Sequence, residues 1–170
     1  MQVTIRDTGD LRAVNKALKQ AADGKELRKQ LGKQLRSEIR PMVASVKAAW
    51  LAAPSEGHSG STKARRGLPD LRWLLAKATA GQVRFTGKEA GVRVRTDGRK
   101  MPSGSKKLPA YAEGIARRPW RHPVFGDSET WVAQPRFPRF FEAVQPDEAR
   151  ARRACIEAVD QVLDKIARAH

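Results

Sequence analysis

Cysteine is almost missing from this chain. The single one, Cys155, excludes an internal disulfide, and its place on a helical stripe predicts a small buried apolar residue. The three histidines stand apart from one another and from Cys155, so no metal-ligand spacing is present. No apolar run approaches the roughly 18 residues a membrane-crossing helix needs. The opening MQVTIRDTGDLRAVN lacks the charged start and apolar centre of a secretory signal. Together these predict a product made and used in the cytoplasm, free to enter a larger particle, with no membrane contact. No internal repeat is visible, and 170 residues suggest one domain. A chain of this length buries roughly 70% of its unfolded surface, enough to fold without staples.

Catalytic patterns are also scarce. The acids are dispersed. Asp127 and Glu129, two apart, form a pair common in surface turns. His122 has no nucleophile at motif spacing, and no glycine-rich phosphate loop appears, since TGKEAG fits none. No enzyme activity, catalytic residue, cofactor or metal is therefore expected.

Positive charge is what the chain has most of. Lys and Arg number 34 against 18 Asp and Glu, a formal charge of +16. Such a balance suits a polyanionic partner, whether nucleic acid or an acidic protein. The basic residues run through the whole chain without a dominant block. Lys63, Arg65 and Arg66, Lys106 and Lys107, and Arg117 and Arg118 form the densest groups. The first two groups are candidate polyanion contacts.

Periodicity assigns the elements. Val3 and Ile5 alternate within residues 1–6, a short strand. Residues 7–10 (DTGD) read as a turn and helix cap. Leu11, Val14, Leu18 and Ala21 then mark a helix ending near Gly24. Leu27, Leu31, Leu35, Ile39, Val43, Val46 and Trp50 continue at helical spacing. Pro41 lies inside that pattern and predicts a kink or break near residues 38–40. Residues 54–67, rich in Ser, Gly and basic groups, read as an exposed loop. Asp70 is placed to cap a short helix through Leu71, Trp73, Leu74, Leu75 and Ala76. Residues 82–85 and 91–96 suggest a hairpin of alternating valine and arginine, one face buried and one basic. Residues 97–108 read as a second flexible basic loop, and 110–115 as one helical turn. Ala151, Ala154, Cys155, Ala158, Val159, Val162 and Ile166 share one stripe of a C-terminal helix, from about Asp147, with Pro146 at its first position. The fold class is α+β: a small antiparallel sheet packed with a long, proline-kinked N-terminal helix and an amphipathic C-terminal helix.

Residues 117–141, RRPWRHPVFGDSETWVAQPRFPRFF, stand out. Six of the ten aromatic residues and four of the ten prolines lie here. No period of 2 or 3.6 runs through the segment, so it reads as a rigid ordered loop that presents or buries large apolar groups. Rings and cations interleave at Arg117, Arg118, Trp120, Arg121 and His122, as in platforms for single-stranded nucleic acid. Yet no zinc-finger spacing, aromatic strand signature or helix-turn-helix accompanies them.

The order of features resembles a known family. A long helix ends at Ala52-Ala53-Pro54, and Gly67-Leu68-Pro69-Asp70-Leu71-Arg72 follows a Ser/Gly loop. A valine-rich hairpin, Ala110-Tyr111-Ala112-Glu113-Gly114, RPWRHPVFG at 118–126, Trp131-Val132-Ala133-Gln134 and Pro138-Arg139-Phe140-Phe141 then lead into the last helix. Across nearly the whole chain this is similar to the minor tail component family of long-tailed, siphovirus-type phages and prophages, whose members are tail-completion or head–tail joining (neck) proteins. The resemblance implies a structural virion protein rather than a catalyst. It implies a homo-oligomeric, hexameric ring contacting the tail terminator or tube and the head–tail connector, with DNA passing through the channel. Rings use heterologous interfaces closed by rotation. Interface candidates are Arg117, Arg118, Trp120, Arg121, His122, Phe125 and Trp131, because Trp and Arg are enriched at interface hot spots. Their rings pack either on the chain's own helices or on a neighbour. The basic segments 55–66 and 97–107 are expected to order on contact with a ring partner or DNA. The alternative is a basic nucleic-acid-binding protein.

Overall fold

Valine at alternate positions of residues 91–96 makes one face of a strand apolar, and a sheet assembles on it. The computed structural model describes residues 2–5, 11–53, 71–88, 90–102, 106–114, 120–124, 127–134 and 137–168. Three antiparallel strands, β1 (Gln2–Ile5), β2 (Thr79–Arg84) and β3 (Gly91–Thr96), lie in the order β1-β3-β2. The register pairs Val3 with Val94, and Val83 with Val92. Val92, Val94 and Thr96 are fully buried on the core side. The hairpin β2–β3 lies where expected, but β2 starts at Thr79, three residues before the apolar signal begins.

The other side of β3 departs from expectation. Arg93 does not belong to an exposed basic face: it is 2% exposed, and its Nη1 donates to Gln2 Oε1 at 3.3 Å. The reason is topological. The pairing of β1 makes β3 the central strand, so Arg93 is flanked by Thr4 on one side and Gln82 on the other.

The helices follow their apolar stripes. Helix α1 (Leu11–Gln20) buries Leu11, Val14 and Leu18. Helices α2 (Gly24–Glu38) and α3 (Arg40–Leu51) divide the long pattern. The interruption is one residue, Ile39, whose backbone stays right-handed (φ −92°, ψ 0°). Pro41 then falls in the first turn of α3, where a missing N–H costs least. The apolar phase therefore carries across, and Leu31, Leu35, Ile39, Val46 and Trp50 are all buried. The Ile39 side chain needs space on the sheet, which Gly81 provides. A Cβ at that position would stand 2.6 Å from Ile39 Cδ1.

Helix α4 (Leu71–Ala78) packs on α3. Helix α5 (Leu108–Ala112) begins two residues before the expected turn, with Pro109 buried in its first turn. Helix α6 (Phe140–Arg168) packs on α2 and α3. It buries the expected stripe, with Ala154 half-buried and Cys155 fully enclosed. Burial pushes the Cys155 thiol up to about 11, and the Glu38 carboxylate adds to the rise, so the thiol stays protonated. The start of α6 corrects the sequence expectation: it lies seven residues before Asp147, and Pro146 is inside the helix. An interior proline costs about 3 kcal/mol. Burial of Phe140 and Val144 in the two preceding turns offsets this, at about 1.5–3 kcal/mol each. The turn and cap expected at 7–10, the cap at Asp70 and the loop at 55–66 lie outside the described residues.

A buried polar relay joins four of these elements. Trp50 Nε1 donates to Thr96 Oγ1 at 3.3 Å, the Thr96 and Thr79 hydroxyls meet at 2.8 Å, and Thr79 Oγ1 donates to the Leu75 carbonyl at 2.9 Å. With Thr79 donating onward to Leu75, the shared proton belongs to Thr96, and every group in the chain is satisfied. Thr96→Val keeps the shape and leaves the Trp50 indole N–H buried without an acceptor. The expected loss is about 1–3 kcal/mol, measured by denaturant unfolding.

Candidate interaction surface

The aromatic segment is a hairpin, not an irregular loop. Strands β4 (Trp120–Val124) and β5 (Asp127–Gln134) pair antiparallel, with Trp120 opposite Gln134, His122 opposite Val132 and Pro123 opposite Trp131. The register shifts between Pro123 and Val124, leaving residues 128–130 as a bulge on β5. This pair forms its own two-stranded sheet. Among the described residues, neither strand packs broadly on a helix or on the first sheet. A two-stranded ribbon outside the main sheet is not bound to the alternation of apolar and polar residues that a strand with one face on a core shows. Pro123 is tolerated because both strands of a two-stranded ribbon are edges.

Of the interface candidates, β4 brings Trp120, Arg121 and His122 together, and Trp131 enters the same ribbon from β5. Arg121 is exposed. Arg117, Arg118 and Phe125 lie outside the described residues, as do Lys63, Arg65 and Arg66. Asp127 pairs with Val124 at the turn end, and Glu129 sits in the bulge with its side chain exposed. No three potential metal-ligating acids, histidines or cysteines cluster among the described residues.

Lys106 and Lys107 are exposed in the turn that leads into α5. The segment before them has more structure than a plain basic loop. Asp97 caps a short 3-10 turn (Gly98–Lys100) by accepting from Arg99 N at 3.0 Å, and Met101 beyond it is buried. Arg99 Nε and Nη2 also reach the Asp97 carboxylate, at 3.1 and 3.0 Å. The Arg99 hydrogen bonds hold that carboxyl down at about 2 against the effect of burial, with Arg95 assisting. The stability it contributes is present above its unfolded value and is lost as pH falls through about 2.

The residue that fixes the hairpin to the body is one the sequence did not single out. Glu113, just after α5, is 6% exposed. Its Oε2 accepts from Phe140 N at 3.0 Å and its Oε1 from Phe141 N at 3.2 Å. Those are orphan donors of the first turn of α6, so Glu113 caps a helix that starts 27 residues later. Beside it, Phe137 N donates to the Ala112 carbonyl at 2.6 Å. Gly114 turns the chain away at φ 78°, a left-handed conformation that suits glycine. The two ends of the hairpin segment are thereby held together at the head of α6. The only sequence signal was a lone acid before a glycine, at a distance no local capping pattern covers.

No family model, curated protein or solved structure matches the chain.

Burial raises the Glu113 carboxyl above its ordinary value of 4.5. The Phe140, Phe141 and Arg139 N–H groups pull it back, and the Glu142 carboxylate adds to the rise. Stability drawn from this group is therefore full below its unfolded value and declines as pH rises through the folded one. Glu113→Gln is expected to flatten that component in unfolding curves taken across the acid range. Glu113→Ala, which leaves two helix donors without their acceptor, is expected to lower stability at neutral pH by about 1–2 kcal/mol.

Proposed function

We propose that this chain is a structural protein of a phage head–tail neck, forming or joining a ring at the head-proximal end of the tail. The observation that carries the reading is the β4–β5 hairpin. It is held at its base by Glu113 and Ala112, yet the body does not cover it broadly. A two-stranded ribbon is marginal by itself in water. Its open edges are templates for strand addition. A partner surface supplies what the body does not. The whole-chain order of motifs shared with tail-completion proteins supports the same reading, and the most specific of those motifs are the ones that build the hairpin. On this view Trp120, Arg121, His122 and Trp131 meet a neighbouring subunit or the tail terminator, and the chain acts by assembly, with no catalytic step.

The test is the mass of nuclease-treated protein by analytical ultracentrifugation, alone and with purified tails or their terminator. It is done in about 1 M salt, where the screening length falls to about 3 Å and charge-only contacts dissociate. A closed oligomer or a stable complex is expected. Trp131→Ala should weaken it by about 2 kcal/mol or more, the size of a hot-spot loss, while leaving the helical circular dichroism of the monomer intact. A chain that remains monomeric and binds neither tails nor terminator overturns the proposal.

A further inference from the structure

Lys106 and Lys107 lie in the turn before α5, and the other basic groups singled out in the sequence fall outside the described residues, but the described surface gathers cations in a further place. A groove of about 670 Å³ runs between α2 and the end of β2. Lys25, Arg28, Lys29 and Arg36 line it from α2, and Arg84 faces them from β2. Positions 25, 28, 29, 32 and 36 are spaced by three or four, so they share one face of the helix. Gly32, in the middle of that face, has no side chain to fill the groove, and Phe85 lies against it. No Asp or Glu is among the described residues that line the groove. At its N-terminal end the groove meets a smaller cleft of about 270 Å³, which shares Lys25 and Arg28 and adds Lys19.

The side chains are arranged for phosphate rather than for bases. The Arg28 guanidinium lies over the Phe85 ring, 5.2 Å from its centroid, which orients a planar donor set at the groove wall. Phe85 itself is 8% exposed, so it offers no stacking platform. Arg36 Nη1 donates to the Gly32 carbonyl at 3.0 Å, which holds its charge close to the groove floor. Lys29 makes a loose pair with Glu26 at 3.7 Å, with both side chains largely in water, and such a pair exchanges readily for a stronger anion. From Lys25 to Arg36 the helix rises roughly 16 Å, a length over which a nucleic-acid strand presents several phosphates.

We propose that the groove between α2 and β2 is a nucleic-acid site that holds the phosphodiester backbone through Lys25, Arg28, Lys29 and Arg36, without reading sequence. The inference is independent of the neck reading, because it is tested at low salt on the monomer's own groove and the assembly is tested at high salt. Contacts to phosphate position a nucleic acid but carry no base information. Random-sequence duplexes of equal length should therefore bind alike.

The experiment measures binding of a labelled random-sequence DNA duplex to the nuclease-treated protein by fluorescence anisotropy across a salt series. The logarithm of the binding constant should fall linearly with the logarithm of salt, at about 0.9 per phosphate neutralised. Lys25→Gln, Arg28→Gln and Lys29→Gln should each reduce that slope by about 1. Gly32→Glu, which places a carboxylate on the groove floor, should weaken binding more than Lys165→Gln on the exposed side of α6. Both substitutions remove one unit of net positive charge, and circular dichroism confirms that each variant is folded. Equal losses from Gly32→Glu and Lys165→Gln would mean that charge is spread over the whole surface, and would overturn the site. Tighter binding of poly-glutamate than of duplex would overturn the choice of nucleic acid in favour of an acidic protein.

Discussion

A carboxylate under the head of α6 is the contact on which the C-terminal half depends. The first turn of any helix leaves backbone donors without partners, and a long helix beginning inside a core cannot rely on water for all of them. Glu113 meets two of these donors from outside the helix. That contact fixes where α6 begins, puts Phe140 in the core and sets the base of the β4–β5 hairpin. It also carries a cost, since the carboxylate is largely withdrawn from water. Its raised pKa is the mark of that conflict between desolvation and hydrogen bonding.

The N-terminal half rests on more ordinary means. The stripe through α2 and α3 buries large aliphatic groups against the sheet, and one right-handed residue at Ile39 absorbs the proline without losing phase. The Trp50, Thr96, Thr79 and Leu75 relay places polar atoms in this core with each one satisfied. Such a relay fixes the relative positions of α3, α4 and the sheet more sharply than apolar contact alone, because a small slip breaks hydrogen bonds that water cannot replace.

What could be read in the sequence follows from the range of each signal. The stripes of α1, α2, α3 and α6 and the valines of β3 are local periodicities, and they appear in the structure with their expected burial. The failures are non-local. Arg93 reads as exposed until β1, from the far end of the chain, pairs beside it. Pro146 reads as a helix start until a distant acid caps the helix two turns earlier. The hairpin reads as a loop because no period of 2 runs through its residues, and its two strands pair only with each other. The basic face of α2 was hidden among cations spread evenly along the chain. The approach of Arg84 at the end of β2, and of Phe85 just beyond it, turns it into a groove.

The paired attachments at Ala112 and Glu113 have a consequence for how such a chain can change. They bring the two ends of the intervening excursion to nearly the same place at the head of α6. Closure entropy grows slowly with the length of a segment between fixed ends. The excursion is thus a cassette. Its strands can lengthen, shorten or exchange their outward residues while α5 and α6 keep the same junction, and a new docking specificity can arise without a new fold.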